Sequence, residues 1–179
     1  MKKIFYLVMV FCLVSTLSFA GGKGDFTLGA GYKNISFDTP GDMDATLYGA
    51  SLNFHTKLME FSGVNSFINF SAGYYYGKID DSAGFDPNIS DIPVKLGVGV
   101  GYDLGKFDVG VDLNATYDHI DVDSLVQYDP FGVGGDIYIN YNFETNNKFG
   151  IKAEYTKFFG EDELDSSYTI SLVYGFNFK

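Results

Sequence analysis

The stretch Val94-Lys95-Leu96-Gly97-Val98-Gly99-Val100-Gly101-Tyr102 is followed, after Asp103-Leu104-Gly105-Lys106, by Phe107-Asp108-Val109-Gly110-Val111-Asp112-Leu113-Asn114-Ala115-Thr116-Tyr117. Both halves alternate strictly. Every second residue is apolar, and Gly, Asn, Thr, Lys or Asp stands between. A period of two marks a strand with two chemically different faces. Gly105-Lys106 supplies a two-residue hairpin join between the halves. If residues 104 and 107 close that turn, Lys95 stands opposite Thr116 and diagonal to Asn114 and Asp118, and Gly99 stands opposite Asp112.

Outward from this hairpin the same alternation recurs in six more runs: Phe26 to Tyr32, Tyr48 to Phe54, Ile68 to Tyr74, Phe131 to Phe143, Phe149 to Tyr155 and Tyr168 to Phe178. The apolar faces of the eight runs hold forty positions, none charged. Of the thirty-two positions between them six are charged, namely Lys95, Asp108, Asp112, Asp136, Lys152 and Glu154, and most others are Gly, Ser, Thr or Asn. A soluble sandwich or lipocalin-type barrel puts long charged side chains on its water face and apolar ones inside. Here the polar face is small and glycine-rich, as suits a crowded lumen, and the apolar face is too extensive for the interior of so short a chain. The predicted fold is all-β: an eight-stranded antiparallel up-and-down transmembrane β-barrel, apolar face to lipid and polar face inward.

The joins agree with this. Leu104-Gly105-Lys106-Phe107, Thr145-Asn146-Asn147 and the longer Phe54 to Ile68 fall at one end, and the joins at the other run over 33–46, 75–92, 118–130 and 158–167. Short turns at one end and longer loops at the other put the loops outside the cell and both termini in the periplasm. Tyrosine and phenylalanine gather at both ends of the runs, where aromatic girdles belong, while Val, Ile, Leu, Ala and Gly hold the middles.

The first twenty residues read separately. Lys2 and Lys3 precede an apolar run from Ile4 to Leu17, and Ser18-Phe19-Ala20 supplies a small-x-small cleavage pattern. This predicts a cleavable signal peptide over 1–20 and a barrel domain over 21–179. Cys12, the only cysteine, leaves with the leader, so neither a disulfide nor a cysteine metal site is expected. The formal charge of −11, with every cation a lysine, excludes a nucleic-acid partner.

The Gly-Tyr strand ends (Leu28-Gly29-Ala30-Gly31-Tyr32 and Leu96 to Tyr102) and the closing Tyr168-x-Ile170-x-Leu172-x-Tyr174-x-Phe176-x-Phe178 resemble the small outer-membrane barrels of the OmpA transmembrane and OmpX type. The resemblance spans the mature chain. It implies an outer-membrane location, and it implies that Tyr174, Phe176 and Phe178 form the insertion signal read by the barrel-assembly machinery. Lys179 after Phe178 departs from that pattern.

Three chemistries remain to weigh. The six lumen charges make either a self-satisfied polar plug or an ion path, and an eight-stranded barrel is only wide enough for its own side chains to fill. The four outer joins carry Asp38, Asp42, Asp44, Asp80, Asp81, Asp86, Asp91, Asp118, Asp121, Asp123, Asp129, Glu161, Asp162, Glu163 and Asp165 against Lys78. Such a crown keeps neighbours apart, recruits divalent cations or docks a cationic partner. The only metal-like spacing is Asp121-x-Asp123, and no twelve-residue calcium loop is present. Ile79, Phe85, Ile89, Leu125, Val126 and Tyr128 in these joins either present an adhesive surface or pack over the barrel mouth. A lipid A acyl hydrolase or transferase needs histidine with serine and an acid. His55 and His119 are the only histidines, and no His-x-Ser pair occurs, so no enzyme and no cofactor are expected. The expected role is structural or surface-interactive (adhesion, envelope integrity), with a narrow conduit for small or hydrophobic solutes as the alternative.

Overall fold

The computed structural model describes residues 23–38, 43–80, 87–123 and 126–178. The expected leader, Lys179, and Asp42, Asp81, Phe85, Asp86 and Leu125 of the outer joins lie outside them. Strands are β1 (Gly24–Phe37), β2 (Asp44–Phe61), β3 (Val64–Asp80), β4 (Asn88–Asp103), β5 (Phe107–Val122), β6 (Val126–Tyr128), β7 (Phe131–Asn142), β8 (Asn147–Phe159) and β9 (Leu164–Phe178). Every pairing is antiparallel, and the β4–β5 pairing closes the ring. β6 is a short return strand on the outer end of β5, so eight strands make the barrel. The hairpin registers Lys95–Thr116 and Gly99–Asp112 are those expected from the Gly105-Lys106 turn.

Following register partners once around, Phe26 leads through Phe54, Phe70, Leu96, Ala115, Val133, Lys157 and Ser166 back to Ser36. The stagger is thus ten residues over eight strands, which tilts the strands by roughly 40° from the barrel axis. At that tilt the stretch from Tyr168 to Phe178 rises about 25 Å, the height of a lipid-facing band.

The exposed side chains are the apolar ones. Leu28, Leu96, Val98, Leu113, Val133, Ile137, Ile151 and Leu172 all point out, and the residues between them are buried or half-buried. Phe54 and Phe70 share the outward phase yet are buried. The Phe26 ring packs 4.9 Å from Phe54, and Phe54 and Leu96 flank Phe70 in register. The turns at the closed end use left-handed backbone where it is needed. Ser62 and Gly63 both have positive φ (51° and 82°), as a tight two-residue hairpin demands.

At the opposite end the strands run further than the sequence reading allowed. Lys33–Phe37, Asp44–Thr46, Tyr75–Asp80, Asn88–Ile92 and Asp118–Val122 were expected as loops, and all are strand. Here the sense of the alternation inverts. Tyr32 and Tyr76 face out, but Ile35, Phe37, Leu47, Ile79, Ile89 and Ile120 face in, where they form a buried cluster with Tyr75, Phe158 and Leu164. Once a strand leaves hydrocarbon its outer face meets water, so its apolar residues gain more by turning inward. Ile79 and Ile89 therefore pack inside the mouth rather than present an adhesive surface, Tyr128 packs against them half-buried, and Val126 is exposed.

Candidate functional site: a closed charged lumen and an acidic rim

Below the apolar cluster the lumen is a stack of charged layers. The first was not among the expected site residues. Lys33 on β1 forms ion pairs with Asp91 of β4 and, at 2.7 Å, with Asp118 of β5. Thr116 donates to Asp118 at 2.5 Å. All three charged side chains are at most 1% exposed. Asp91 and Asp118 therefore belong to the interior and not to the crown, a correction to the expected distribution of acids. The signal was present: beyond Tyr32 the apolar residues of β1 move from even to odd positions, so Lys33 joins the inward set.

The second layer holds five of the six expected lumen charges. Lys95 pairs with Glu154 across the barrel. Lys152 lies 3.7 Å from Glu154 and 3.9 Å from Asp136, and donates to Asn53 Oδ1 at 2.9 Å. Asn114 donates to Asp136 at 3.0 Å. Asp112 is the register partner of Asp136 and lies 3.4 Å from His55 Nε2. The sixth, Asp108, stands apart near the mouth at the short-turn end and accepts from Asn140 at 2.9 Å and Asn142 at 2.7 Å. The space left at the centre of this layer is about 10 Å³, room for about one water. Glycines make the fit possible: a Cβ on Gly97 would stand 2.1 Å from Asn114 Oδ1, and one on Gly99 would stand 2.1 Å from Asp112 Oδ1.

The third layer also escaped the sequence reading. His55 is only 12% exposed and bridges Asp25 (2.9 Å) and Asp112, while Lys148 reaches Asp25 at 2.8 Å. His55, Phe67 and Tyr138 pack ring to ring, with centroids 4.9–6.2 Å apart. Beneath them a vestibule of about 290 Å³ opens at the short-turn end, with Asp25, Asp108 and Lys57 in its wall.

At the outer rim the acids tie the loops together. Asp123 accepts from the Asn88 amide (3.1 Å) and side chain (3.2 Å), and Asp121 accepts from Gln127 at 3.2 Å. Among the described residues no group of three or more His, Cys, Asp or Glu side chains is placed to hold a metal ion. His119 bonds Asp129 at 2.8 Å. Tyr128 donates to Glu163 at 2.6 Å, and partial burial together with that carboxylate pushes its phenol up to about 12. Lys157 pairs with Asp165, and its hydrogen bond holds that exposed carboxyl below its ordinary range. On β9 Tyr174 and Phe176 face outward with rings 5.7 Å apart, and half-buried Phe178 ends the strand.

This is the architecture of the small bacterial outer-membrane β-barrels. No family model matches the chain, and no curated protein does. Solved structures do. The Neisserial surface protein A superposes with a TM-score of 0.60 over 86% of this chain and 97% of its own, at 11% identity. Ail, the attachment invasion locus protein of Yersinia pestis, solved with the heparin analogue sucrose octasulfate, gives 0.58 over 87% and 99%, at 16% identity. The outer membrane enzyme PagL gives 0.54 over 85% and 98%, at 13% identity. The chain has their fold, a closed eight-stranded antiparallel barrel.

Proposed function

We propose that this chain is an outer-membrane barrel that works at its outer rim and not through its lumen, with its loops extracellular and both termini periplasmic. The observation that carries this reading is the seal at the outer end. An apolar cluster of ten buried residues sits over the Lys33–Asp91–Asp118 layer. The periplasmic vestibule ends blind below it. A solute would have to displace packed isoleucines and separate buried ion pairs, each a step of several kcal/mol.

The rim supports a surface-interactive or envelope-stabilising role. Asp38, Asp44, Asp121, Asp123, Asp129, Glu161, Asp162, Glu163 and Asp165 surround it, against Lys78, Lys157 and His119. Ail was solved with a polyanion, whereas this rim favours a cationic partner, or divalent cations bridging it to anionic neighbours. We read the chain as non-enzymatic although PagL shares its fold. Among the described residues neither imidazole is bonded to a serine hydroxyl, which a hydrolytic triad requires. The outward aromatic row of exposed Tyr174 and Phe176 followed by half-buried Phe178 supports its use as the insertion signal for the assembly machinery.

Proteoliposomes test the reading. They should not swell in small sugars, and they should adhere to polylysine-coated but not heparin-coated beads, with adhesion lost at high salt. Swelling would replace this reading with a conduit.

A further inference from the structure

The outer end carries a depression of about 290 Å³ on its flank, spread over three neighbouring strands. One wall is Tyr74 and Tyr76 of β3, the floor is Asn88 and Ser90 of β4, and the far wall is Asp121 and Asp123 at the end of β5. Register explains the shape. Tyr76, Ser90 and Asp121 are successive partners across the sheet, so two long rings and two carboxylates stand on either side of two short side chains. The walls rise two strand spacings apart, roughly 10 Å between backbones. Beneath them Pro93 has no N–H to give, and the β3–β4 ladder skips Gly73 and Tyr74 opposite Ile92 and Pro93. Asp121 lies four residues beyond Tyr117 along β5, about 10 Å higher, so the carboxylate wall stands clear of hydrocarbon.

The carboxylates are held in place from behind. The Asn88 amide and side chain both donate to Asp123 Oδ1, at 3.1 and 3.2 Å, and the Asp123 amide donates to the Asn88 carbonyl at 3.0 Å. Asp123 Oδ2 and the Tyr74 and Tyr76 hydroxyls have no hydrogen-bond partner among the described residues. Gln127 donates to Asp121 Oδ2 at 3.2 Å. Two cationic or titratable side chains adjoin the depression. His119, next to Asp121 on the outward face of β5, bonds Asp129 at 2.8 Å. Lys78, next above Tyr76 on β3, is the register partner of Asn88, is exposed, and is in no ion pair among the described residues. Asp44 and Asp80, register partners of each other, stand just beyond Lys78. Acids therefore outnumber cations around the depression, and its field is negative.

We propose that this depression seats one arginine side chain of an extracellular polypeptide, the guanidinium plane against Tyr76 and its N–H edge toward Asp123 Oδ2 and Asp121. The inference rests on the rim reading and names the contact through which the rim takes a cationic partner. The volume lies at the lower limit of pockets that enclose whole small molecules, and suits a single side chain. A hard metal ion needs more oxygen ligands than two carboxylates supply, and no third acid joins them. A guanidinium needs a flat face and acceptors at its edge, which are what the opposite walls offer. An ammonium has no plane to lay on the ring and gives up more hydration.

Nuclear magnetic resonance of the mature barrel, folded in detergent micelles, tests it with N-acetyl-arginine amide and N-acetyl-lysine amide as probes. The arginine probe should shift the backbone amides of Tyr76, Ser90, Asp121 and Asp123 saturably, and the lysine probe should bind there more weakly. Asp123→Asn keeps an oxygen for Asn88, Tyr76→Leu keeps an apolar side chain, and heat-modifiable gel mobility verifies both folds. Each should weaken arginine binding about threefold, the worth of one exposed ion pair or cation–π contact. Lys78→Gln removes the neighbouring competitor and should tighten binding, and Asp162→Asn on another outer loop should leave it unchanged. Scattered or non-saturating shifts, equal binding of the two probes, or unchanged binding in the Asp123 and Tyr76 variants overturns the inference, while wild-type adhesion to polylysine keeps the rim reading standing. Loss of that adhesion overturns both.

Discussion

Replacing Val98 by lysine places an ammonium on the part of the surface that the structure assigns to lipid. Val98 is 58% exposed, and its register partner Leu113 is 70% exposed. Four residues separate Val98 from Tyr102 in the lower girdle, about 10 Å along the axis, so it sits near the middle of the roughly 25 Å band. From there the lysine head reaches neither headgroup layer without thinning the bilayer. The expected cost is about 2–4 kcal/mol, read from urea unfolding of the refolded barrel in lipid vesicles. Two controls calibrate it. Val126→Lys, at an exposed site on the outer loop strand, should change stability by less than about 0.5 kcal/mol. Gly97→Ala, one residue away but facing inward, pushes a Cβ to 2.1 Å from Asn114 Oδ1 and 2.3 Å from the Leu113 carbonyl. It should cost about 1–3 kcal/mol through overpacking, whatever solvent surrounds the barrel. Val98→Lys tolerated as well as Val126→Lys would refute the face assignment.

Other substitutions probe the interior and the rim. Lys33→Met leaves Asp91 and Asp118 buried without their cation and should cost about 3–5 kcal/mol in equilibrium unfolding, part of it recovered by adding Asp91→Asn and Asp118→Asn. No recovery would mean that lost packing, and not unpaired charge, is responsible. Ile120→Ala, fully buried in the outer cluster, should cost about 2–5 kcal/mol and expose the loops to protease while the membrane band stays protected. Uniform protease sensitivity would count against a separate outer cluster. Partial burial and the hydrogen bond to Glu163 raise the folded Tyr128 phenol to about 12 from its ordinary 10.0. A raised value means the contact is fully present below pH 10 and is lost as the pH climbs through about 12. Absorbance at 295 nm, wild type minus Tyr128→Phe, should show that late titration, and a midpoint at the ordinary phenol value would contradict it.

The membrane band was legible because hydrocarbon imposes one rule on every strand: apolar out, small and polar in. That rule yields the eight strands and the outward set from Leu28 to Leu172, and the Gly105-Lys106 turn yields the β4–β5 register. The rule ends where hydrocarbon ends. Beyond Tyr32, Tyr76 and Tyr117 the same strands continue with their apolar residues on the opposite face, and a uniform pattern reads that inversion as a loop. Asp91 and Asp118 were therefore counted with the rim acids, and Lys33 was not seen as their partner. His55 meets Asp25 as its register partner on the neighbouring strand, and Lys148 reaches Asp25 from β8, one strand beyond β9; no spacing within one run reveals such a meeting. The rim bonds of Asp123 to Asn88 and of Asp121 to Gln127 show two loop-tying carboxylates where spacing alone suggested a cation pair.

The claim on which everything rests is that hydrocarbon touches the valine- and leucine-bearing face. Single cysteines at Val98, Leu113, Ile137 and Leu172, placed in the mature chain and folded into lipid vesicles, measure this directly through their rates with a membrane-impermeant maleimide. The account predicts that these four react far more slowly than a cysteine at Val126 and that all react alike once the protein is unfolded. Rates equal to that of the loop cysteine in the folded protein would contradict it.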